Sequence, residues 1–555
     1  MGIKKSLGLA VAGGLAASVL AAGRIRSEPA PFDEFQTPLP SVRNAAFALQ
    51  CSAEGQPINP SIYGSGGEEL PWEVGVGARR WGGNPTTRYN WETHNTNLTK
   101  DWFFKNVRGG PNGYRRFIDE NLAHGVKTAL TVPMIGWVAK DDTSYSFPVA
   151  AFGKQEAVAP ENADMGNGVG ADGKPIAPGP PTLTSVAATP EFIARWIEKI
   201  RSDEGGKGRS VDAYILDNEP MLWNSTHRDV HPEPTTYDEL LEKTIAYGTA
   251  IRKADPEGKI AGPAEWGWLA YQYSAKDVAA GVFLRPDRRA HGDEALIPWY
   301  LRKLREHEQK TGVKVLDILD VHFYPMGDGI GITTGGKTDP TTSALRLRAT
   351  RSLWDPTYKD ESWIDDRMRV IPRLREWIAA NYPGLGISIG EWNFGAENHM
   401  SGGLAVAEVL GRFGLEGVTS AYYWTVPADR SPAFWGFRAY RNFDGNGGRF
   451  LDRTVPVTGS ATLASMFASR DEERRRVVAI VLNQSALTPL IPTIATQGCG
   501  TVSAVRGFTY TGGRDGFKPL EVTTAEQSLK LTAPPYSITV LDLTTGSPKA
   551  DAPNR

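Results

Sequence analysis

Two glutamates in this chain stand where an apolar run of sequence ends and a polar loop begins. One is Glu219, which follows Asp217 and Asn218, and the other is Glu391, which precedes Asn393 by two residues. They are 391 − 219 = 172 residues apart, so only a fold that gathers distant strand ends brings them together. Carboxylates at the carboxyl ends of different parallel strands can act on one bond, one as proton donor and the other as nucleophile or base. The alternative for these acids is a structural ion pair or a helix cap.

Strand periodicity predicts the neighbours of these acids. Residues i and i+2 of a strand lie on the same face, which predicts that Asp217 and Glu219 point the same way. The same rule puts Asp320, His322 and Tyr324 on one face of another strand. If these faces line the mouth of a barrel, the two glutamates and Tyr324 converge.

The elements that must position the two acids alternate between strand-like and helix-like patterns. This alternation predicts an α/β fold with a parallel sheet. Eight strands are predicted, with Glu219 after the fourth and Glu391 after the seventh, which indicates a (β/α)8 TIM barrel. An open doubly wound sheet is the alternative, although the sequence contains no GxGxxG or GxxxxGK[ST] phosphate loop. The predicted strands are Ser61–Gly64, Gly77–Gly82, Lys127–Trp137, Ala213–Asp217, Lys259–Ala264, Leu316–Tyr324, Gly386–Gly390 and Thr419–Thr425.

Helices are predicted between these strands from capping residues and hydrophobic spacing. Thr189 and Pro190 begin one helix, as its N-cap and first helical residue. Thr236 and Glu239 form a predicted capping box at the start of a second helix. A third helix contains Trp377.

Two regions depart from this alternation. Residues 140–188 are rich in Gly, Pro, Asp and Ala, and they predict a long loop over the barrel mouth after the third strand. From residue 442 the pattern changes to short alternating strands without helices, which predicts a C-terminal β-sandwich. The sandwich strands are predicted at Thr462–Ser469, Arg476–Asn483, Thr501–Thr509, Ser528–Leu531 and Tyr536–Leu543.

Size and charge limit the class of protein. At 555 residues the chain exceeds one ordinary domain, and a hydrophobic fraction of 40% is ample for a large core. The net charge of −2 and a pI near 6.5 argue against nucleic acid or an anionic membrane as the main partner. The 16 tryptophans are compatible with sugar binding through their indole faces, although most Trp residues belong to cores.

The N-terminus has the pattern of a targeting segment. A charged start followed by a small, apolar run predicts that residues 1–22 are a signal peptide. The run is short for a membrane span and Arg24 follows it, so we expect an exported protein, secreted or periplasmic, without a stable membrane span after cleavage. An uncleaved anchor is the alternative. Residues 23–44 are polar and are predicted to be a linker.

Cysteines and candidate metal ligands are few. Cys51 and Cys499 are the two cysteines of the chain, and from the residues alone a disulfide and two buried thiols are equally compatible with export. The segment 227–231 contains two histidines and an aspartate, but its spacing does not by itself supply the three or four converging ligands of a zinc site. Residues 444–447 fit an Asx/Gly turn better than a calcium site. No metal and no cofactor are therefore predicted.

Four motifs together resemble glycoside hydrolase family 44, the endoglucanases and xyloglucanases with a (β/α)8 barrel and catalytic acids on strands four and seven. The resemblance extends from about residue 58 to the C-terminus. The motifs are Arg80-Trp81-Gly82-Gly83-Asn84 with Tyr89-Asn90-Trp91-Glu92, Leu216-Asp217-Asn218-Glu219-Pro220, His322-Phe323-Tyr324-Pro325, and Gly390-Glu391-Trp392-Asn393-Phe394-Gly395.

The resemblance implies a role for each residue near the two acids. Glu219 would be the general acid/base and Glu391 the nucleophile of a retaining mechanism, which requires one protonated and one ionised carboxyl group. Asn218 would hydrogen-bond the sugar 2-hydroxyl. Arg80 and Tyr324 would hold Glu391 ionised and oriented.

Trp424, at the end of the eighth predicted strand, is a candidate stacking platform beside the scissile bond, and Asn84 and Trp91, on loops near the barrel mouth, are candidates for outer subsites. Core packing is the alternative for each Trp. The resemblance also implies the domain limits. The strand at residues 45–57 would belong to the sandwich, so that a Cys51–Cys499 bridge is sterically sensible. The barrel would then span residues 58–441 and the sandwich residues 442–555.

These observations predict a monomeric, retaining endo-β-1,4-glucanase that acts on plant β-glucans, either cellulose-type chains or xyloglucan. Another hydrolase of the same clan, such as a β-mannanase or a xylanase, is one alternative. A catalytically inactive carbohydrate-binding protein is the other, and the presence of both acids argues against it.

Overall fold

The structure is a computed structural model that describes residues 42–67, 69–110, 113–206, 208–330 and 336–546. The predicted signal peptide and nearly all of the predicted linker lie outside the described residues. Within the described part of the chain, no helix is both long and apolar enough to cross a membrane.

The strands and helices are numbered here in chain order. The strands are β1 Arg43–Leu49, β2 Gly64–Ser65, β3 Ala78–Trp81, β4 Asn95–Asn97, β5 Asn106–Arg108, β6 Lys127–Val132, β7 Trp137–Ala139, β8 Val158–Ala159, β9 Asn162–Gly166, β10 Ser185–Ala187, β11 Ala213–Leu216, β12 Lys259–Glu265, β13 Ile318–Phe323, β14 Gly386–Trp392, β15 Ser420–Tyr423, β16 Arg453–Val455, β17 Val457–Thr458, β18 Ala464–Arg470, β19 Arg476–Asn483, β20 Leu490–Ala495, β21 Val502–Tyr510, β22 Lys518–Leu520, β23 Thr523–Ala525, β24 Ser528–Lys530 and β25 Ser537–Thr545. The helices are α1 Gly113–Ala123, α2 Val149–Phe152, α3 Pro190–Asp203, α4 Trp223–Thr226, α5 Tyr237–Ala254, α6 Trp268–Gln272, α7 Ala275–Ala280, α8 Pro286–Ala290, α9 Leu296–Thr311, α10 Pro340–Ala349, α11 Val370–Asn381, α12 Met400–Leu415 and α13 Pro432–Arg441.

Eight parallel strands close into a barrel in the order β2, β3, β6, β11, β12, β13, β14, β15, with β15 pairing back to β2. The predicted (β/α)8 barrel is therefore confirmed. β11 is the fourth barrel strand and β14 is the seventh, as predicted. Because parallel barrel strands end at the same rim, the residues that follow them meet there.

The first barrel strand differs from its prediction. Residues Pro60–Tyr63 form a 3-10 turn, and the strand is only Gly64–Ser65. Asn59 caps this turn by accepting a hydrogen bond from the Ser61 backbone N–H, and Pro60 is its first residue. Local capping therefore prevails over the extended preference of the apolar run.

The helix starts follow the predicted capping residues. Thr189 caps α3 through the backbone N–H of Phe192, and Thr236 caps α5 through that of Glu239. The carboxylate of Glu239 contacts His231 Nε2 at 2.7 Å. The structure therefore shows one half of the predicted capping box, while the Glu239 side chain forms a contact with the loop before α5.

The long segment between β6 and α3 contains regular secondary structure. It contains the antiparallel pairs β7–β10 and β8–β9. Arg228, from the loop after β11, donates to the carbonyls of Ile176 and Gly168 and lies 4.6 Å above the ring of Phe147. This segment is thus attached to the same rim of the barrel as Glu219.

The C-terminal region forms two sheets, ordered β17-β1-β20-β24-β23 and β16-β18-β19-β25-β21-β22. Their facing apolar side chains form a separate core that includes Phe47, Ile494, Val481 and Leu541. The predicted sandwich is confirmed, and β1 belongs to it through a parallel pairing with β20.

The sandwich differs from its prediction at the start of β1 and in the number of its strands. β1 begins at Arg43, so the predicted linker of residues 23–44 overlaps it by two residues. Five further strands of the two sheets lie outside the predicted ones, namely β16, β17, β20, β22 and β23. Each is short, and β20 contains Pro492. Cys51, just after β1, forms a disulfide with Cys499, just after β20.

Candidate active site

The turn after β11 carries Glu219 in a backbone conformation that is rare for residues with a side chain. Asp217 has φ 65° and Glu219 has φ 48°, both in the left-handed region. Such strain costs energy and persists where the surroundings hold it. Here the Glu219 N–H donates to the carbonyl of Ala264 at 3.1 Å, which links the turn to β12.

Asp217 holds this turn in place. Its carboxylate accepts hydrogen bonds from Thr87 Oγ1 at 2.5 Å and from the backbone N–H groups of Ile135 at 3.0 Å and Asn218 at 2.7 Å. Burial raises the pKa of Asp217 to about 6. The two-residue rule behind the prediction that Asp217 and Glu219 share a face does not apply here, because the strand ends at Leu216 and both residues have left-handed backbone.

Glu391 lies near the end of β14 between two polar groups. Arg80 Nη1, from β3, is 2.5 Å from its Oε1, and the Tyr324 hydroxyl donates to its Oε2 at 2.7 Å. Arg80 and Glu391 are both almost completely buried. The guanidinium and the phenol each contact one oxygen of this carboxylate, so together they fix its orientation.

Glu219 lies in a different environment, although it is close by. Its side chain is 13% exposed, and its Oε1 lies 2.9 Å from His322 Nδ1. Burial raises the pKa of Glu219 to about 7, an effect that Arg80 opposes and Asp101 reinforces. Burial also lowers the pKa of His322 to about 4, so this imidazole is neutral at the pH at which Glu219 titrates.

His322 connects the two acids. Its Nδ1 is 3.5 Å from Glu391 Oε2 as well as 2.9 Å from Glu219 Oε1. One oxygen of each glutamate and one ring nitrogen of His322 lie within 4.8 Å of one another. The acids that are 172 residues apart in sequence therefore face the same small space.

Asn218 and Asn84 form a polar bridge beside this pair. Asn218 Oδ1 accepts from Arg80 Nη2 at 2.8 Å, and its Nδ2 donates to Asn84 Oδ1 at 3.1 Å. Asn84 Nδ2 in turn donates to Asp101 at 3.1 Å. Asn84 is thus one hydrogen bond away from Asn218, the residue that precedes Glu219.

The predicted aromatic residues have different locations. Trp424 is half-buried, and its ring lies 5.9 Å from the Arg80 guanidinium carbon. A Cβ on Gly83 would lie 2.6 Å from the indole, so the glycine leaves room for this ring. Trp91 lies elsewhere, with its indole N–H donating to the Phe192 carbonyl at 3.2 Å on α3. The structure brings Trp424 to the candidate site and leaves Trp91 apart from it.

Two residues of this site have no role that the sequence predicts, namely His322 and Asp101. His322 lies two residues before Tyr324, and the strand face that they share is the signal that could have identified it. Asp101 lies in a 3-10 turn after β4, and no periodic pattern connects it with Glu219. The histidines of segment 227–231 lie apart from the site, with His231 contacting Glu239, while Asp229 accepts from Arg88 at 3.0 Å.

Comparisons with known proteins agree with this geometry. The family model for glycoside hydrolase family 44 matches residues 95–327. Endoglucanase A of Paenibacillus lautus is 32% identical over 509 residues, which cover 86% of this chain and 70% of that protein. The crystal structure of CelM2, a bifunctional glucanase-xylanase protein from a metagenome library, is 34% identical with a TM-score of 0.86 and covers 90% of this chain and 99% of its own. A family 44 xyloglucanase of Paenibacillus polymyxa, solved with xyloglucan, is 26% identical with a TM-score of 0.76, covering 91% and 100% of the two chains.

The barrel, its paired rim carboxylates and these relatives together define a glycoside hydrolase. The chain belongs to glycoside hydrolase family 44.

Proposed function

We propose that this enzyme is a retaining endo-β-1,4-glucanase that acts on plant β-glucans, with Glu219 as general acid/base and Glu391 as nucleophile. One observation carries the proposal: carboxylate oxygens of the two residues lie within 4.8 Å, in unlike environments. Retaining glycosidases have carboxyl groups about 5–5.5 Å apart, whereas inverting enzymes need about 6.5–9.5 Å to admit a water. Facing oxygens this close leave little room for an attacking water between the two carboxyl groups, which supports double displacement.

In the first step, a Glu391 oxygen attacks the anomeric carbon while Glu219 transfers its proton to the glycosidic oxygen. The carbon–oxygen bond to the leaving sugar breaks, and a glycosyl ester of Glu391 forms. The unlike environments support these roles. Burial raises the pKa of Glu219 to about 7, so this residue is protonated below that pH, while Arg80 pairs with Glu391. Asn218 is the proposed partner of the 2-hydroxyl.

In the second step, Glu219 is a carboxylate and acts as the base. It takes a proton from a water molecule whose oxygen attacks the anomeric carbon, so the ester bond to Glu391 breaks and Glu219 is protonated again. Because both steps invert the anomeric carbon, the product has the configuration of the substrate.

Two measurements test this mechanism. Glu391→Gly should abolish turnover, and substantial activity in that variant would rule Glu391 out as nucleophile. Proton NMR of the first product formed by the wild-type enzyme should show the β-anomer. An α-anomer would refute retention.

The substrate class is tested with xyloglucan, carboxymethylcellulose, lichenan, glucomannan and xylan, with product sizes measured over time. We expect a rapid early fall in the chain length of the β-glucans, as endo cleavage produces. Xylan is a second candidate because the similar structure CelM2 is described as a bifunctional glucanase-xylanase. Activity on xylan or mannan without activity on any β-glucan would refute the proposed specificity.

We also propose that the protein is exported and monomeric. The disulfide supports export, because such bonds persist in oxidising compartments. N-terminal sequencing of the protein released by the native cells should begin near residue 23, and light scattering should give a mass close to that of one chain. An intact N-terminus on cell-associated protein would refute the cleavage.

A further inference from the structure

Beneath the two catalytic glutamates, several buried polar atoms of the barrel have no hydrogen-bond partner among the described residues. They are both carboxylate oxygens of Asp320, Nε2 of His322 and Nε of Arg80. All three side chains are fully buried. Unpaired polar atoms at this depth are costly, and one water that bridges them is the usual solution.

Gly390 leaves space for the Asp320 carboxylate because it has no side chain. A Cβ built on Gly390 would lie 2.6 Å from both oxygens of Asp320. The register between β13 and β14 shifts at this point, with Val321 opposite Ile389 and His322 opposite Glu391, so that Gly390 is the extra residue. A glycine at the bulge therefore allows a carboxyl group under the catalytic pair.

Burial, with the neighbouring Glu391, favours the neutral form of Asp320. His322 and Ser388 face it from β13 and β14, Arg80 from β3, and Glu391 from the rim above. Arg80 is already paired with Glu391, so an ionised Asp320 would add a second buried anion to one cation. Burial raises the pKa of Asp320, while His322, Arg80 and the Ser388 hydroxyl oppose this.

The protonation of His322 decides which oxygen of Glu219 can hold its proton. The neutral imidazole has one N–H. If the hydrogen is on Nδ1, it donates to Glu219 Oε1, 2.9 Å away, and the carboxyl proton must then be on Oε2, the oxygen left for the substrate. If the hydrogen is on Nε2, Nδ1 accepts the Glu219 proton and draws it away from the leaving group.

We infer that Asp320 is a positioning residue which, as a neutral carboxylic acid acting through a bridging water, holds the hydrogen of His322 on Nδ1 and thereby aims the Glu219 proton at the leaving group. Asp320 donates to the water, and the water donates to His322 Nε2, which must then be unprotonated. This inference rests on the proposed role of Glu219 as general acid.

Nitrogen NMR of the wild-type enzyme labelled with ¹⁵N-histidine tests the tautomer directly. The chain contains eight histidines, and a His322→Gln variant identifies the signals of His322. At pH 6 we expect Nδ1 to be protonated and Nε2 to be unprotonated. The opposite tautomer would overturn the inference, and this measurement does not depend on whether an Asp320 variant folds.

The kinetic test compares aryl β-cellobiosides with good and poor leaving groups, because a good leaving group departs without a proton. For Asp320→Ala we expect kcat/KM to fall about 10–100-fold with 4-methoxyphenyl β-cellobioside and less than about threefold with the 2,4-dinitrophenyl compound. A purely structural role would lower both kcat/KM values equally and would overturn the inference.

The variant Asp320→Asn, whose amide still donates, should have a kcat/KM about tenfold higher than Asp320→Ala with the poor leaving group. An Asn variant no better than Ala would also overturn it.

Glu219→Gln serves as the matched control. If it shows no dependence on the leaving group, the proposed role of Glu219 fails and the inference fails with it. If Glu219→Gln shows the dependence and Asp320→Ala does not, only the inference about Asp320 fails.

Discussion

At the scale of single residues, the difference between the two glutamates comes from their neighbours. Glu391 accepts from a guanidinium and a phenol, while Glu219 is buried beside a neutral imidazole. The same side-chain chemistry thus yields a group suited to attack and a group suited to proton transfer. This division leads to a prediction for each acid.

The proton on Glu219 should control the alkaline side of the pH profile. Because burial raises the pKa of Glu219 to about 7, kcat/KM should fall as pH rises through that value, by about tenfold per unit above it. The measurement is kcat/KM on carboxymethylcellulose between pH 4 and pH 9. An alkaline limb near pH 4.5, the value of an ordinary glutamate, would contradict the prediction.

The planar guanidinium geometry of Arg80 should matter as much to catalysis as its charge. Its two terminal nitrogens contact Glu391 and Asn218 separately, and the single ammonium of a lysine has no such geometry. Arg80→Lys should therefore lower kcat about 100-fold or more. Circular dichroism and thermal unfolding serve as controls for folding, and a variant with near wild-type kcat would show that charge alone suffices.

At the scale of elements, residues of the barrel rim could be predicted where they follow regular strands. They could not be predicted where the backbone is not extended. The strand count located Glu219 and Glu391, and the family motifs indicated Arg80 and Tyr324. The left-handed residues after β11 were not predictable, because their conformation depends on hydrogen bonds that Asp217 makes with distant backbone. Asp101 likewise depends on a loop with no periodicity.

The long segment between β6 and α3 should depend on Arg228. The Arg228 side chain donates to backbone carbonyls of this segment. The neighbouring Asp229 forms its ion pair with Arg88. Arg228→Ala should speed limited proteolysis within residues 140–188 by about tenfold and should raise KM for polysaccharide more than KM for an aryl cellobioside. Arg228→Lys is the matched control, since it keeps the charge without the fork. Equal proteolysis of wild type and Arg228→Ala would contradict the prediction.

At the scale of the whole molecule, the disulfide belongs to the core of the β-sandwich. Cys51 and Cys499 are 448 residues apart and are both buried in the sandwich core. The pairing was open from the residues alone, because two cysteines cannot reveal whether they meet. Only the sandwich membership of β1, which the family resemblance implied, made the bridge geometrically sensible.

Removal of the bridge should destabilise the sandwich without affecting the chemistry. The double variant Cys51→Ser, Cys499→Ser should lose about 2–5 kcal/mol of unfolding free energy, measured by urea denaturation of the sandwich transition. Its kcat/KM at 25 °C should stay within about twofold of wild type. Dithiothreitol should lower the stability of the wild type and leave the double variant unchanged. A wild type insensitive to reduction would contradict the prediction.

The pairing of β1 with β20 also bears on how the chain is assembled. Phe47 lies opposite Ile494 in this parallel pair, so the barrel is inserted between the first strand of the sandwich and all the others. During synthesis every barrel strand is made before β1 has a neighbour on either side. The catalytic domain can therefore fold first, and the sandwich is a discontinuous domain that the last part of the chain completes. A protein released before β20 has been made would leave the edge of β1 that β20 covers without its partner, and exposed edges of this kind promote aggregation.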